Sequence, residues 1–223
     1  MPTSRHERTL RLEGYTAIAG VDEAGRGALF GPVFAAAVVL NPDRPIRGLD
    51  DSKQLAADRR EVLAERIKER AIAWAVAGSD AFEIDHHNIL EASRRAMQRA
   101  ISALRPAADF LLIDAVKLPL PVPQRSLIHG DALSFSIAAA SILAKTARDA
   151  AIAAWDEVFP GYGLASNKGY STPDHLKALR EQGPSPLHRF SFEPVRVAAG
   201  AGSWQGYPVR FADLPPEQGD LFA

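Results

Sequence analysis

Gly20-Val21-Asp22-Glu23-Ala24-Gly25-Arg26-Gly27, closed by Gly31-Pro32-Val33, decides how the chain is read. An apolar strand, Ala17 to Val21, ends in two adjacent carboxylates and breaks into a glycine-rich turn that carries one arginine. Carboxylate oxygens at a strand end are the ligands that a hard divalent cation takes. Glycines let the backbone approach a ligand closely and adopt positive φ without steric penalty. An arginine beside them adds a forked donor matched to phosphate. Together these groups point to phosphodiester chemistry. A dinucleotide-binding turn is excluded by spacing: Phe30 stands where G-x-G-x-x-G needs its third glycine, and no G-x-x-x-x-G-K-[ST] loop occurs.

Outward from the turn, Val33 to Leu40 reads as the partner strand and Asn41 to Arg47 as a loop. A helix is predicted over Ala57 to Glu69 with Val62, Leu63 and Ile67 on one face. Ile72, Trp74 and Val76 alternate as a strand. Asp85 is placed as the cap of the next helix, whose apolar positions run from Ile89 to Leu104. Phe110 to Ile113 reads as a short buried strand ending at Asp114, and Leu127-Ile128 as a brief apolar segment before Gly130-Asp131. Ser136 to Val158 is the longest helix, with Ala138, Ala139 and Ala140 allowing close approach to a sheet, and Pro160-Gly161 stops it. Strands joined by a tight glycine turn and then alternating with helices indicate an α/β domain with a mixed central sheet. We divide the chain into a core over 1–160, a small helical C-terminal region over 161–197 and a flexible tail over 198–223.

The composition narrows the chemistry. A chain of 223 residues can bury a sizeable core, and its net charge of −1 neither demands nor forbids a nucleic-acid partner, because acidic metal ligands cancel a basic groove in the sum. The absence of cysteine removes disulfides, thiolate zinc sites and cysteine nucleophiles. Met1 to Glu13 is charged and has no apolar core of a signal peptide, so a soluble, cytoplasmic protein without membrane contact is expected, and a monomer because nothing in the sequence demands an oligomer.

Four acids stand out by position: Asp22 and Glu23 at one strand end, Asp114 at another, and Asp131 ahead of the long helix. Strand ends of an α/β sheet assemble sites from distant sequence, and two metals bridged by such carboxylates stabilise both oxygens of a phosphoryl displacement. Successive strand residues point to opposite faces, so Asp22 and Glu23 share a site only if the chain bends between them. Ser52-Lys53, Lys117, Lys145, Lys168 and Arg189 lie near these segments, each individually readable as a surface charge. Tyr170 offers a ring to a sugar or base. His86-His87 is read as structural or solvent-facing, since neighbouring helical residues diverge; His175 and His188 stay unassigned.

The chain resembles prokaryotic ribonuclease HII, the type 2 ribonuclease H family, from about Tyr15 to Val197. The blocks that carry the resemblance are Asp22 to Gly27, Asp51-Ser52-Lys53-Gln54-Leu55, Leu112-Ile113-Asp114, Gly130-Asp131, Ile137 to Lys145, Lys168-Gly169-Tyr170, and His188-Arg189 with Ser191-Phe192. The resemblance implies an RNase H-like mixed sheet flanked by helices, with Asp22, Glu23, Asp114 and Asp131 holding two Mg²⁺ or Mn²⁺ ions. It implies that Gly25, Arg26 and Gly27 sense the ribose 2′-hydroxyl, that Tyr170 packs on the deoxyribose past an RNA–DNA junction, and that Ser52, Lys53 and Lys145 serve the substrate. The implied activity cleaves 5′ to a ribonucleotide embedded in duplex DNA and cuts RNA in RNA/DNA hybrids, leaving a 3′-hydroxyl and a 5′-phosphate. One departure concerns the site: Ala115 stands where many relatives carry glycine after the third acid.

The extreme C-terminus, Gln218-Gly219-Asp220-Leu221-Phe222, resembles the short peptide by which DNA-processing proteins dock on the sliding clamp. Gln218 and Asp220 would supply polar contacts, and Leu221 and Phe222 would fill an apolar groove. Two other readings stand beside the leading one. A related nuclease acting on branched or ordinary DNA leaves the ribose-reading residues unexplained. A non-catalytic clamp-associated binder leaves four clustered carboxylates unexplained.

Overall fold

The computed structural model describes residues 2–200, which form two compact units. Among these residues the first unit comprises 2–24, Phe34–Ala77 and Arg94–Ala147, and the second comprises Gly25–Val33, Gly78–Ser93 and 148–200. Gln218 to Phe222 lies outside the described residues. No helix among the described residues is long and apolar enough to cross a membrane.

The sheet follows from two hydrophobic runs and a turn. β1 (Ile18–Ala24) and β2 (Val33–Val39) pair antiparallel, from Ala19 opposite Val39 to Ala24 opposite Phe34. β4 (Phe110–Asp114) runs parallel to β1, and β5 (Gln124–Leu127) runs parallel to β4. With β3 (Ala73–Ser79) the order is β3-β2-β1-β4-β5, a mixed five-stranded sheet. The mixed α/β class expected from the sequence holds.

Two apolar layers cover the sheet of the first unit. On one face, Val21, Ala37, Leu111 and Ile113 meet Met97, Ala100 and Leu104 of α4 (Ile89–Ala103) and its C-terminal edge. On the other, Ala36 and Val38 meet Leu63 and Ile67 of α2 (Ala57–Arg70) and the alanine stripe of α5 (Phe135–Val158). Alanine on α5 is what lets the helix sit down on the strands. Gly20 takes this to its limit: a Cβ there would lie 2.0 Å from the backbone carbon of Ser136. Leu10 of α1 (Arg5–Leu12) completes a third cluster with Ile18, Phe110, Leu112 and Ile137.

Several local expectations are corrected. Val62 is exposed; Leu63, Ala64 and Ile67 form the buried stripe of α2. The strand expected around Ile72, Trp74 and Val76 is β3; Ala73 and Ala75 are buried in the cluster beside α4, Ile72 and Trp74 are exposed, and Trp74 lies under the Lys68 ammonium. Asp85 caps nothing. Asp80 caps α3 (Ala81–His87) by accepting the Glu83 N–H, and the Asn88 side chain accepts the N–H groups of Leu90 and Glu91 at the start of α4. Asp85 instead accepts the N–H groups of Phe190 and Ser191, both at 2.8 Å. The polar segment Gln124–Leu127 is an edge strand, pinned by its Gln124 side chain to both the N–H and the carbonyl of Leu118.

The second unit gathers Phe30, Ile152, Trp155, Tyr162, Leu164, Leu179 and Val195 around α6 (Leu164–Asn167), α7 (Pro173–Gln182) and α8 (Glu193–Ala199). α8 carries regular structure two residues past position 197. At the centre lie the two unassigned histidines, both fully buried. The Ser185 N–H donates to His188 Nδ1, so that nitrogen must accept. His188 therefore carries its proton on Nε2 and donates it to His175 Nε2 at 3.0 Å. That leaves His175 protonated at Nδ1, donating to the Tyr170 carbonyl at 2.9 Å. The chain of bonds works only with both rings neutral. Burial, and then the neighbouring His175, holds His188 down to about 3, and burial lowers His175 as well.

The unfolded chain takes up these protons near pH 6.5, so stability is complete above that pH and falls as pH drops toward 3. For His188 alone the slope is about 1.4 kcal/mol per pH unit. Urea unfolding at pH 7 and pH 5 should show it, and the double variant H175Q/H188Q should have a much flatter profile. Identical slopes in the two proteins would refute the neutral pair.

Candidate active site

β1 and β4 run parallel with Val21 beside Ile113, and one residue further each strand carries an aspartate. Val21 and Ile113 enter the cluster shared with α4. Alternation therefore sends Asp22 and Asp114 out of the opposite face, toward α5. Asp22 is buried there and hydrogen-bonded to Ser141 of α5. Asp131 joins them from the 3₁₀ turn Gly130–Ala132, between β5 and α5, and is also buried. Ladder pairing continues through Glu23 to Ala24, and Glu23, half-buried at the end of the strand, lies close enough for its charge to act on the Asp22 carboxyl.

Backbone amides fix each aspartate. The Glu23 N–H donates to Asp22 Oδ1 at 2.7 Å, Gly130 N–H to Asp114 Oδ1 at 2.6 Å, and Ala132 N–H to Asp131 Oδ1 at 2.9 Å. Gly130 is closely packed as well: a Cβ would meet Ile137 Cδ1 at 2.6 Å and Asp114 Oδ1 at 3.2 Å. Burial first, then the charges of Glu23 and Asp114, raise the Asp22 carboxyl well above the usual range, against the bonds from Ser141 and Glu23. Asp131 is raised by burial and by Asp51 and Asp114, with Lys53 opposing. Partial burial works against the Lys53 ammonium, but Asp131, Asp22, Asp51 and Asp114 together outweigh it and raise its pKa.

Among the described residues, no three histidine, aspartate or glutamate side chains close on one point as they stand. The carboxylates meet as mutually repelling charges rather than as a finished cage. The donor set nevertheless fits a hard divalent ion: it is all oxygen, held by backbone amides, and destabilised by its own like charge.

The sequence-predicted substrate residues of this unit divide by burial. Lys53 is exposed, and Lys145 is half-buried on α5 four residues beyond Ser141. Ser52 is buried, with its hydroxyl 2.8 Å from that of Ser141, so it extends the support of Asp22 inward. Ser141 and Asp51 were not singled out by sequence reasoning. Both lay inside quoted motifs, and only the fold reveals that Asp51 adds its charge to Asp131.

Ala115 adopts φ 51°, the left-handed region where an L side chain is strained. Its N–H donates to the Leu127 carbonyl at 2.9 Å, which holds it there. Ala115→Gly should therefore stabilise the protein by about 1 kcal/mol without loss of activity. An unfolding midpoint that falls instead would show that the alanine methyl contributes packing.

The glycine turn belongs to the second unit and is braced from beneath. Arg148 is fully buried, its guanidinium 5.0 Å from the Tyr170 ring centroid and 3.9 Å from Asp149. Gly25 lies directly on it: φ is +98°, and a Cβ would come within 2.0 Å of Arg148 Nε. Arg189 was readable as a surface charge but is buried, donating to the Gly31 carbonyl at 2.8 Å and the Arg26 carbonyl at 2.9 Å. The Leu29 N–H donates to Gly169 at 2.8 Å, which ties the turn to the segment holding Tyr170. Arg26 and Gly27 are exposed, and nothing lies within 4 Å of where a Gly27 Cβ would be.

Residues 19–195 match the family "Ribonuclease HII". The chain belongs to the ribonuclease HII family. A ribonuclease HII from Solibacter usitatus is 65% identical over 86% of this chain and 84% of its own length. The solved ribonuclease H2 of Pyrococcus horikoshii superposes with a TM-score of 0.69 at 26% identity, covering 82% of this chain and 97% of that one. The PCNA:RNase HII complex from Archaeoglobus fulgidus matches with a TM-score of 0.67 at 26% identity, over 80% of this chain and 96% of that one. This ribonuclease HII family member is thus an RNase H enzyme built on the RNase H-like fold.

Proposed function

We propose that the chain is a metal-dependent endoribonuclease that hydrolyses the phosphodiester on the 5′ side of a ribonucleotide embedded in duplex DNA, and RNA in RNA/DNA hybrids. The products are a 3′-hydroxyl and a 5′-phosphate, and the cellular roles are ribonucleotide removal and RNA primer processing in the cytoplasm. The observation that carries this reading is the group of buried, mutually repelling carboxylates at the ends of β1 and β4. Such a cluster is costly without a cation.

Asp22, Glu23, Asp114 and Asp131 would hold two divalent ions, Mg²⁺ or Mn²⁺. The chemistry supplied by bound ions is an activated water and relief of charge on the leaving oxygen. The chain's own residues do the rest. Hydrogen bonds donated by backbone N–H groups to three aspartates set the rotation of the ligands before any ion arrives. Lys53, charged and exposed beside them, offers a phosphate contact; Lys145 offers a second. The turn of Gly25, Arg26 and Gly27, buried at Gly25 and exposed at Arg26 and Gly27, would accommodate a ribose 2′-hydroxyl, and Tyr170, seated on Arg148, would present its ring to the neighbouring deoxyribose. Hydrolysis that leaves a 5′-phosphate does not use the 2′-hydroxyl as nucleophile, which frees that group for recognition. One protomer suffices for these roles.

End-labelled duplex DNA with a single ribonucleotide tests the reading, beside an all-DNA duplex and a hybrid. Metal-dependent cutting 5′ to the ribonucleotide, absent from all-DNA, is expected. Equal cutting of all-DNA would indicate the branched- or ordinary-DNA nuclease instead.

A neighbouring fold solved as a PCNA complex supports a second contact, docking of Gln218, Asp220, Leu221 and Phe222 on a sliding clamp. Deleting Gln218 to Ala223 should remove clamp binding and leave cleavage of short duplexes unchanged. Undiminished clamp binding by the truncated chain excludes the peptide.

A further inference from the structure

One buried carboxylate lies outside the acidic quartet. Glu7, on α1, is 3% exposed. Its Oε1 accepts from Ser134 Oγ at 2.7 Å, from the Ser136 N–H at 2.9 Å and from the Ser136 hydroxyl. Ser134 Oγ also receives the Ile137 N–H at 3.3 Å. Glu7 Oε2 has no hydrogen-bond partner among the described residues. A neutral cap would satisfy the start of α5 equally well, and Leu10 alone would anchor α1 in the core. A buried carboxylate is an expensive way to do either, so its function is sought in what it holds.

What it holds is the segment that carries Asp131. Ser134 is shared between the two: its N–H donates to the Gly130 carbonyl at 2.8 Å, closing the Asp131 turn, while its hydroxyl binds Glu7. The same segment is gripped by backbone bonds on either side, Thr3 N–H to Leu133 at 3.2 Å and Phe135 N–H to Thr3 at 3.2 Å. Gly130, at the head of the turn, also donates to Asp114. A shift of Ser134 would therefore move Asp131 and loosen the amide that fixes Asp114. We propose that Glu7 acts through Ser134 and Ser136 as a positioning residue for Asp131, setting how tightly the carboxylate cluster takes up a divalent cation. The proposal rests on the metal-dependent reading above.

The test is calorimetric titration of Mn²⁺ into the full-length, metal-free protein, with thermal melting alongside. Outer partners of metal ligands affect affinity by about 10–100-fold, and Glu7→Ala should weaken Mn²⁺ binding by at least the lower figure. Glu7→Gln keeps an acceptor for the Ser136 N–H and should lose less; it also carries the test if Glu7→Ala does not fold. Leu10→Ala is the control. It removes packing of the same helix against Ile18, Phe110, Leu112 and Ile137 while leaving every Glu7 hydrogen bond in place, and should lower the melting temperature with Mn²⁺ affinity unchanged within twofold. Unchanged affinity in both Glu7 variants overturns the inference, as does an equal loss in Leu10→Ala. Wild-type protein that takes up no Mn²⁺ overturns the metal-dependent reading itself, and the inference with it.

Discussion

Asp22→Asn is expected to lose cleavage by roughly three orders of magnitude or more while the metal-free protein becomes more stable. Both effects have one cause. Asp22 is buried beside Glu23 and Asp114, and the folded chain disfavours its charge. Asparagine keeps an oxygen for the Glu23 N–H and an amide for the Ser141 hydroxyl, so the local geometry survives. What disappears is the like charge, and with it a ligand. Relief of a buried charge held beside like charges is worth on the order of 1–3 kcal/mol, which raises the melting temperature by about 2–4 °C per kcal/mol in a chain of this size. Melting in EDTA and cleavage of the single-ribonucleotide duplex read the two halves separately. In Mn²⁺ the ranking should invert, because the wild type gains stability by binding the ion and the variant does not. A variant that cleaves within tenfold of wild type would remove Asp22 from the metal site.

Gly20→Ala carries the largest expected effect on stability. The new methyl would stand 2.0 Å from Ser136 C and 2.3 Å from both Ile137 N and Ser136 O. These are backbone atoms at the start of a helix, so no side-chain rotation relieves the contact. Either β1 or α5 must retreat, and retreat breaks the Glu7 bonds to Ser136. A destabilisation above about 4 kcal/mol is expected, seen as loss of soluble protein or a collapse of the urea midpoint. Gly27→Ala, with nothing within 4 Å, is the control for the substitution itself; its stability should stay within about 0.5 kcal/mol of wild type. A Gly20→Ala protein as stable as this control would show that the helix can move.

The sequence spoke clearly where one residue type carries one physical meaning. Apolar runs placed β1, β2, β4 and the long helix to within a few residues, and carboxylates at strand ends marked the candidate site. It misled where meaning depends on a neighbour. The alternation of Ile72, Trp74 and Val76 marked β3 but not its inward face, which Ala73 and Ala75 supply. Asp85 has the composition of a cap, yet its amide partners are 105 and 106 residues away. Gln124–Leu127 gave no apolar signal because an edge strand needs little. The neutral pairing of His175 with His188 was invisible for the same reason, since no local pattern encodes a contact 13 residues apart. Glu7 lies in the charged stretch Met1 to Glu13, and only its burial sets it apart.

The contacts of β1 with α5 have a consequence for how this chain can vary in length. Gly20 meets Ser136, and Asp22 meets Ser141. Two strand residues rise about 6.6 Å and five helical residues about 7.5 Å, so the two ladders keep step like the scales of a vernier. One extra residue between Ser136 and Ser141 would leave every side chain of the site in the sequence. It would also turn Ser141 through about 100° and strip Asp22 of its partner. The active centre is thus written partly in spacing, and a single insertion there should be as damaging as the loss of a carboxylate.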